Sequence, residues 1–431
     1  MKNIWTKWTG INLVLRIVCG LVLGAIFALI IPTALTSLEG ATGAALVGAD
    51  ILSFIGGLIK IFGTLFVGAL KGIAPALVFL LVSTALASAK VGSGKAMKRV
   101  ILLYIVGTVA ASLLAVIMSK LIPVNMIFAS DTDLSDYTPP EGLGEVITTL
   151  LANVVANPID SLANANYLGI LFAAILFGIA LRKFATKGLI DGLQSVSNAV
   201  TTVIRWVIEF APFGIMGLFY SAISDSGLSV LADYGWLLVV LIVSMLAMFL
   251  IVNPLIVFIN IRKNPYPLVF KCIARSAITA FFTRSSAANI PVNMELCKDL
   301  DLDEDLYSIS IPLGSTVNME GAAITIAVMT LAACNTLGIE VGFVTSLLLC
   351  ILSAVGACGA SGVAGGSLLL IPMACSLFGI SSDISASVIG VGFIIGVIQD
   401  SLETALNSST DALFTATADM VFKKKQAKLE D

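Results

Sequence analysis

The sequence predicts an all-α protein that crosses a membrane many times, and three observations carry that prediction. Of 431 residues, 58% are hydrophobic and 12% charged, with a mean hydropathy of +1.03. A soluble globular protein carries roughly 25% charged residues, so a chain this apolar needs lipid as its solvent. Apolar runs of the ~20 residues that a helical span requires recur from end to end. Lys and Arg gather in alternate connections, as they do on the cytoplasmic side of membrane proteins. Composition also excludes function classes. The net charge of −3 argues against nucleic acid. The chain has no His, which removes the commonest metal ligand and the usual acid/base group near neutral pH. None of the seven Cys forms a CxxC, and most sit in apolar runs as small buried side chains do.

Helices are expected near 11–35, 53–88, 99–122, 146–182, 190–222 and 234–261. The first is long enough to span and has no short apolar core with a cleavage site, so it reads as a retained helix. Basic residues precede the first span (Lys2, Lys7) and follow the second (Lys90, Lys95, Lys98, Arg99), the fourth (Arg182, Lys183, Lys187) and the sixth (Arg262, Lys263, Lys271, Arg275). Lys423, Lys424, Lys425 and Lys428 end the chain. The connections after spans one, three and five are nearly free of them, and the longest, Phe128–Glu145, is acidic and assigned to the outside. Both termini are thereby expected in the cytoplasm, with an even number of crossings. Eight and ten remain open, because 270–297 and 342–378 each either cross or dip in and return. Arg205 and Glu209, four apart within a span, are expected to pair with each other.

From residue 270 the pattern changes: 270–297, 305–335, 342–378 and 384–421 are apolar, but each is interrupted by a polar or Gly-rich knot. "FFTRSSAANIPVN" (Phe281–Asn293) reads as the tip of a helical hairpin, because Pro removes a donor while Ser and Asn favour turns. "SAVGACGASGVAGGS" (Ser353–Ser367) carries five Gly, too many for a continuous helix. "PLGSTVNMEGAA" (Pro312–Ala323) places Asn318 and Glu320 deep in an apolar run, where an unwound helix would offer carbonyls and a carboxylate to a hard cation such as sodium. In "QDSLETALNSSTD" (Gln399–Asp411), Asp400, Glu403, Thr404, Asn407 and Asp411 fall on one helical stripe about 100° wide. Carboxylates at the bilayer centre cost roughly 2.5–3.5 kcal/mol each, so the stripe must face a polar cavity or bound cations. Hairpin tip plus polar helix thus occurs twice, in 281–320 and 353–411, the layout by which many secondary transporters build a site at mid-membrane. A channel would need polar rings on several helices rather than four short knots. An enzyme would need a nucleophile–base pair or metal-ligand spacing that the sequence lacks.

These knots carry a resemblance. "TRSSAANIP", "PLGSTVNMEGA", the Gly-rich tip and "QDSLETALNSSTD" are similar to the dicarboxylate/amino acid:cation symporters, the glutamate transporter fold, and most of all to its bacterial serine/threonine:sodium symporters. The likeness covers nearly the whole chain. It implies eight transmembrane helices, two re-entrant hairpins at 270–297 and 342–378, inverted repeats, and a homotrimer in the cell membrane. Residues 1–88 and 146–222 would form the trimerisation scaffold. Residues 99–122 and 234–421 would form a transport domain moving as an elevator, with 422–431 as a cytoplasmic tail. It implies no cofactor, Na+ as the coupling ion and an amino acid as substrate.

The resemblance also implies roles. Asp400 would bind the substrate ammonium, with Thr404 and Asn407 beside it and Asn407 reaching the substrate carboxylate. Ser285, Ser286 and Ala360 would contact substrate from the two tips. Gly314, Asn318, Asn407 and Asp411 match one sodium site. Thr316, Ala354, Val355 and Ala357 match a second, and Tyr104, Thr108, Asn318 and Glu320 a third. At that third site the chain departs from the family pattern: Gly107 stands where a hydroxyl is expected, and Glu320 replaces an Asp. At the substrate site Glu403 replaces an Arg that clamps acidic substrates, and Ala322 replaces a Thr. The expectation is therefore a small neutral substrate, serine or threonine, with Glu403 accepting its hydroxyl or balanced by Arg284. The alternatives within the fold are proton coupling through Glu320 or Glu403, and an acidic substrate.

Overall fold

In the computed structural model, which describes residues 10–38, 44–88, 95–128, 148, 151–360 and 365–430, nearly every described segment is helical. Among the described residues seven helices are long and apolar enough to cross a membrane, or eight if a pair bent by 54° counts as one. The chain is an integral membrane protein. Lys2, Lys7, Lys90, most of the acidic loop Phe128–Glu145, and residues 361–364 of the Gly-rich tip lie outside the described residues.

The first helix, α1 (Leu13–Ser37), starts where the Asn12 side chain accepts the Val14 N–H. The second, α2, begins at Ala44, earlier than expected, and runs 45 residues to Ser88. It is followed by α3 (Lys95–Leu121). The helix expected over 146–182 is instead divided: residues 151–154 are helical, and a short α4 (Pro158–Ala163) and a separate α5 (Tyr167–Phe184) follow. Asn157 and Asn166 cap the two, and Ala165 turns the chain between them at φ +54°. Similarly, 190–222 divides into the bent pair α6 (Lys187–Glu209) and α7 (Ala211–Ser226), with Pro212 in the first turn of α7, where its missing N–H is harmless. The sixth span runs from α8 (Val230–Ala247) through a π-helical turn, Met248–Val252, into α9 (Asn253–Ile261).

Residues 266–299 form the first hairpin. One arm comprises α10 (Tyr266–Cys272), a π turn at Ile273–Ala277 and α11 (Ile278–Thr283). Arg284 ends it in the left-handed region, and α12 (Ile290–Asp299) is the return arm. Arg275 pairs with Asp299 at 3.0 Å, so the return arm runs back beside the first. Next comes a broken helix, α13 (Glu304–Val317) and α14 (Glu320–Thr336). The break is non-helical backbone at Asn318 (φ −91°, ψ 84°) and Met319 (φ −121°, ψ 55°). The second hairpin joins α15 (Phe343–Ala357) to a 3₁₀ turn at Ser367–Leu370 and α16 (Ile371–Ser376). The last helix, α17, runs unbroken from Ser382 to Glu430, so residues 422–430 continue the helix.

Helices α1, α2, α5, α6 and α7 pack chiefly on one another, and α3, α13, α14, α15, α17 and the first hairpin on one another. In α14 every residue from Glu320 to Cys334 is buried, as in a helix surrounded by protein. On α1 and α2 large apolar side chains such as Ile30, Phe54 and Leu65 are exposed, as lipid-facing residues are. Glu209 does not rely on Arg205: it accepts a 2.7 Å bond from Arg16 of α1, which tied to α6 carries its charge into the interior. The seven cysteines are unpaired and all but Cys19 and Cys358 are buried.

Candidate functional site

The stripe on α17 faces inward. Asp400, Glu403, Thr404, Asn407 and Asp411 are all buried, Asp411 completely. A buried carboxylate is costly unless it is paired or hydrogen-bonded, so its partners define the chemistry. Asp400 receives one from each hairpin tip. Arg284 Nε donates to its Oδ2 at 2.6 Å and the Gly365 N–H to its Oδ1 at 3.0 Å. Arg284 therefore balances Asp400 and not Glu403, because the left-handed turn that ends α11 points it to the start of the stripe.

Glu403 is held by neutral donors. Thr325 Oγ1 of α14 (2.8 Å), Ser367 Oγ of the second hairpin (2.7 Å) and Gln399 Nε2 (2.6 Å) all donate to its Oε2. Asn407 Oδ1 accepts the N–H of Gly321 at 2.7 Å, locking α17 to the start of α14. Thr404 Oγ1 returns to the Asp400 carbonyl at 2.8 Å. At the first tip Ser285 Oγ accepts the Ala288 N–H at 3.2 Å, and Ser286 is buried. Ala360 N–H closes a turn on the Ala357 carbonyl at 2.9 Å.

Of the residues matched to sodium sites, the first set converges. Asn318 Nδ2 reaches Asp411 Oδ1 at 3.0 Å and the Asn407 carbonyl at 3.3 Å. Gly314 leaves the room: a β-carbon there would lie 2.5 Å from Asp411 Oδ1. Asp411 Oδ2 and Asn318 Oδ1 are buried and accept no hydrogen bond from the described residues. Free buried oxygens of this kind, with a carbonyl beside them, fit a hard cation. The second set is divided: Ala354 and Ala357 are buried, Thr316 and Val355 are not. Thr316 is exposed, bonds back to the Leu313 carbonyl at 2.9 Å, and lines a cavity of about 490 Å³ between α2, α6 and α13. Val355 is exposed too, and Cys358, just past the end of α15, reaches the Val317 carbonyl beside Thr316 with its Sγ at 3.3 Å.

The third set is rearranged. Tyr104 OH lies against the carbonyls of Ser310 (3.0 Å) and Asp411 (3.3 Å), while Thr108 Oγ1 bonds the Tyr104 carbonyl at 2.8 Å. Glu320 turns to Asn253, which donates to its Oε2 at 2.7 Å. Its Oε1 lies beside Gly107, where a β-carbon would sit 2.4 Å away. The longer acid fills the room that the missing side chain leaves.

Sequence reasoning missed Asn253, Thr325, Ser367 and Gln399. Asn253-Pro254 inside an apolar span was a readable signal, since Pro deprives the preceding turn of a donor and the helix answers with a π turn. Thr325 carries no signal in a helix that reads as apolar packing, whereas Ser367 and Gln399 stand at the ends of the Gly-rich and acidic knots and were readable as polar residues beside the site.

The comparisons with known proteins bear on this geometry. A family model, the sodium:dicarboxylate symporter family, matches residues 13–421. The chain belongs to that family. It is a transporter, not an enzyme. Among its relatives is the serine/threonine transporter SstT of Streptococcus agalactiae serotype III (strain NEM316), 51% identical over 426 residues that cover 99% of this chain and 100% of the relative. The protein of the same name from Streptococcus thermophilus (strain CNRZ 1066) is 50% identical over 425 residues, covering 99% and 100%. That from Bifidobacterium adolescentis (strain ATCC 15703) is 50% identical over 445 aligned positions, covering 100% and 97%.

Proposed function

We propose that this member of the sodium:dicarboxylate symporter family is a sodium-coupled importer of small neutral amino acids, serine and threonine foremost. The observation that carries the reading is the pair Asp400 and Glu403. Both are buried on one face of α17, and among the described residues only Asp400 has an ion pair. Asp400 suits an ammonium group. Glu403 opposes a second carboxylate: two like charges 4 Å apart repel by about 4 kcal/mol at an effective dielectric of about 20. That disfavours acidic substrates, and the relatives are named serine/threonine transporters. Sodium fits the free oxygens of Asn318 and Asp411.

An elevator mechanism is supported by two contacts on α2. Lys60 pairs with Asp225, at the end of α7, at 2.9 Å, and Lys71 pairs with Asp383, at the start of α17. In the topology with both termini cytoplasmic, these two helix ends face outward. Lys71 lies eleven residues deeper, about 16 Å at 1.5 Å per residue. The outer end of α17 thus sits well below that of α7, as in a transport domain (99–122 and 234–421) displaced toward the cytoplasm past a scaffold (1–88 and 146–222). The homotrimer is supported by exposed Asn198, Thr202 and Arg205 on one face of α6, which a second copy would shield from lipid.

The test is uptake of radiolabelled amino acids by proteoliposomes. Serine and threonine are expected to accumulate under a sodium gradient at constant pH and to show counterflow, with no accumulation of aspartate. Accumulation driven by a proton gradient without sodium would favour proton coupling through Glu320 or Glu403.

A further inference from the structure

The three side chains around Glu403 have a donor count that points to a ligand. Gln399 Nε2 has two hydrogens and two acceptors in reach, Glu403 Oε2 at 2.6 Å and Thr325 Oγ1 at 2.7 Å. Ser367 has one hydroxyl hydrogen, directed to Glu403 Oε2 at 2.7 Å. Thr325 has one, with Glu403 Oε2 at 2.8 Å and the Gly321 carbonyl at 3.0 Å as its acceptors. Every donor hydrogen of the trio is spent inside the cluster. The acceptors are not. Gln399 Oε1 is buried and accepts no bond from the described residues, and all three bonds to Glu403 go to one oxygen. An unmet buried acceptor costs about 1–3 kcal/mol, so a cluster left in this state favours a ligand that brings a donor.

We propose that Thr325, Ser367 and Gln399 are specificity-determining positioning residues. By saturating Glu403 Oε2 and exhausting their own hydrogens, they make this end of the site a pure acceptor for the hydroxyl of a β-hydroxy amino acid. The inference rests on the reading of the chain as an amino-acid symporter and goes further, because it names what separates serine and threonine from alanine. Alanine has the same ammonium and carboxylate but brings no donor, and a site built to bond a substrate hydroxyl discriminates against the analogue that lacks it. The trio comes from three elements, α14, the return arm of the second hairpin and α17, so the hydroxyl subsite exists only where those three elements meet.

The experiment is the ratio of kcat/KM for serine to that for alanine, in proteoliposomes under a sodium gradient, for the wild type, Thr325→Val, Ser367→Ala and Thr325→Ser. Thr325→Val keeps the shape and removes the hydroxyl. The expected result is a wild-type ratio above about 10, a ratio lowered roughly tenfold in Thr325→Val and Ser367→Ala, and recovery in Thr325→Ser. A merely structural role would lower both substrates together and leave the ratio unmoved, which overturns the inference while leaving the symporter reading intact. A changed half-saturating sodium concentration with an unmoved ratio also overturns it, by assigning the free acceptors to a cation. Absence of sodium-driven uptake of either amino acid in the wild type would overturn the underlying reading itself.

Discussion

Glu320 occupies the room that Gly107 leaves. The two lie on α14 and α3, and a β-carbon at position 107 would come within 2.4 Å of Glu320 Oε1 and 2.6 Å of the Phe414 ring, which shares that room. The acid is completely buried, with Asn253 as the donor to its other oxygen. The absent side chain at one position and the long acid at the other complement each other in volume, as a close-packed interior requires.

That relationship predicts non-additive mutants. Gly107→Ser should displace the Glu320 carboxylate and lower the thermal midpoint, overpacking costing about 1–3 kcal/mol. Gly107→Ser combined with Glu320→Asp should recover the part of that loss due to the carboxylate, while the contact with the Phe414 ring, 2.6 Å from the added β-carbon, persists. The check is a double-mutant cycle on purified protein, in which neighbours typically couple by roughly 0.5–3 kcal/mol.

Arg284 and Asp400 form a buried ion pair at 2.6 Å. Removing one partner of such a pair typically costs about 3–5 kcal/mol because the other charge is left uncompensated. Arg284→Ala should therefore destabilise the ligand-free protein, and saturating serine should raise its thermal midpoint by more than it raises that of the wild type, since the ammonium supplies the missing charge. Thermal unfolding with and without serine measures both effects.

The sequence made much of this site legible, though unevenly. The stripe from Asp400 to Asp411 could be read because five polar residues at helical spacing in an apolar run have few explanations, and α17 buries all five. The break at Asn318 and the turn at Arg284 were marked by Gly, Pro, Ser and Asn, residues whose backbone preferences act locally. The interruptions at Ala165 and Phe210 were not foreseen, although Asn157-Pro158, Asn166 and Pro212 are local cap and helix-start cues there; the apolar run around them outweighed those cues. Partner choice was the least legible. Arg284 pairing with Asp400, and Arg16 with Glu209 across 193 positions, are tertiary outcomes that sequence spacing does not encode.

The Lys71–Asp383 pair joins the two groups of helices, and on the elevator reading proposed above it would form in the displaced arrangement and break in the returned one. Asp383 is largely exposed, so the pair contributes no more than about 1 kcal/mol. Lys71→Ala should shift the balance between displaced and returned arrangements by up to about fivefold, and less at high salt. Distances between spin labels on α7 and α17 would read the populations.

Replacing Glu403 with Arg reverses the charge at the end of the site. Serine uptake should fall at least a hundredfold, and aspartate should become a competitor for whatever transport remains, because a guanidinium can clamp a carboxylate with two bonds. Undiminished serine transport in that variant would remove Glu403 from the site.

The most direct measurement of the central claim, that the acids of α17 are held inside the bilayer by alkali cations and a zwitterion, is calorimetric titration of serine into the purified protein in sodium chloride and in choline chloride at one pH. The account predicts binding in sodium and an affinity at least about a hundredfold weaker in choline, a difference of about 2.7 kcal/mol. Equal affinity in the two salts would contradict it.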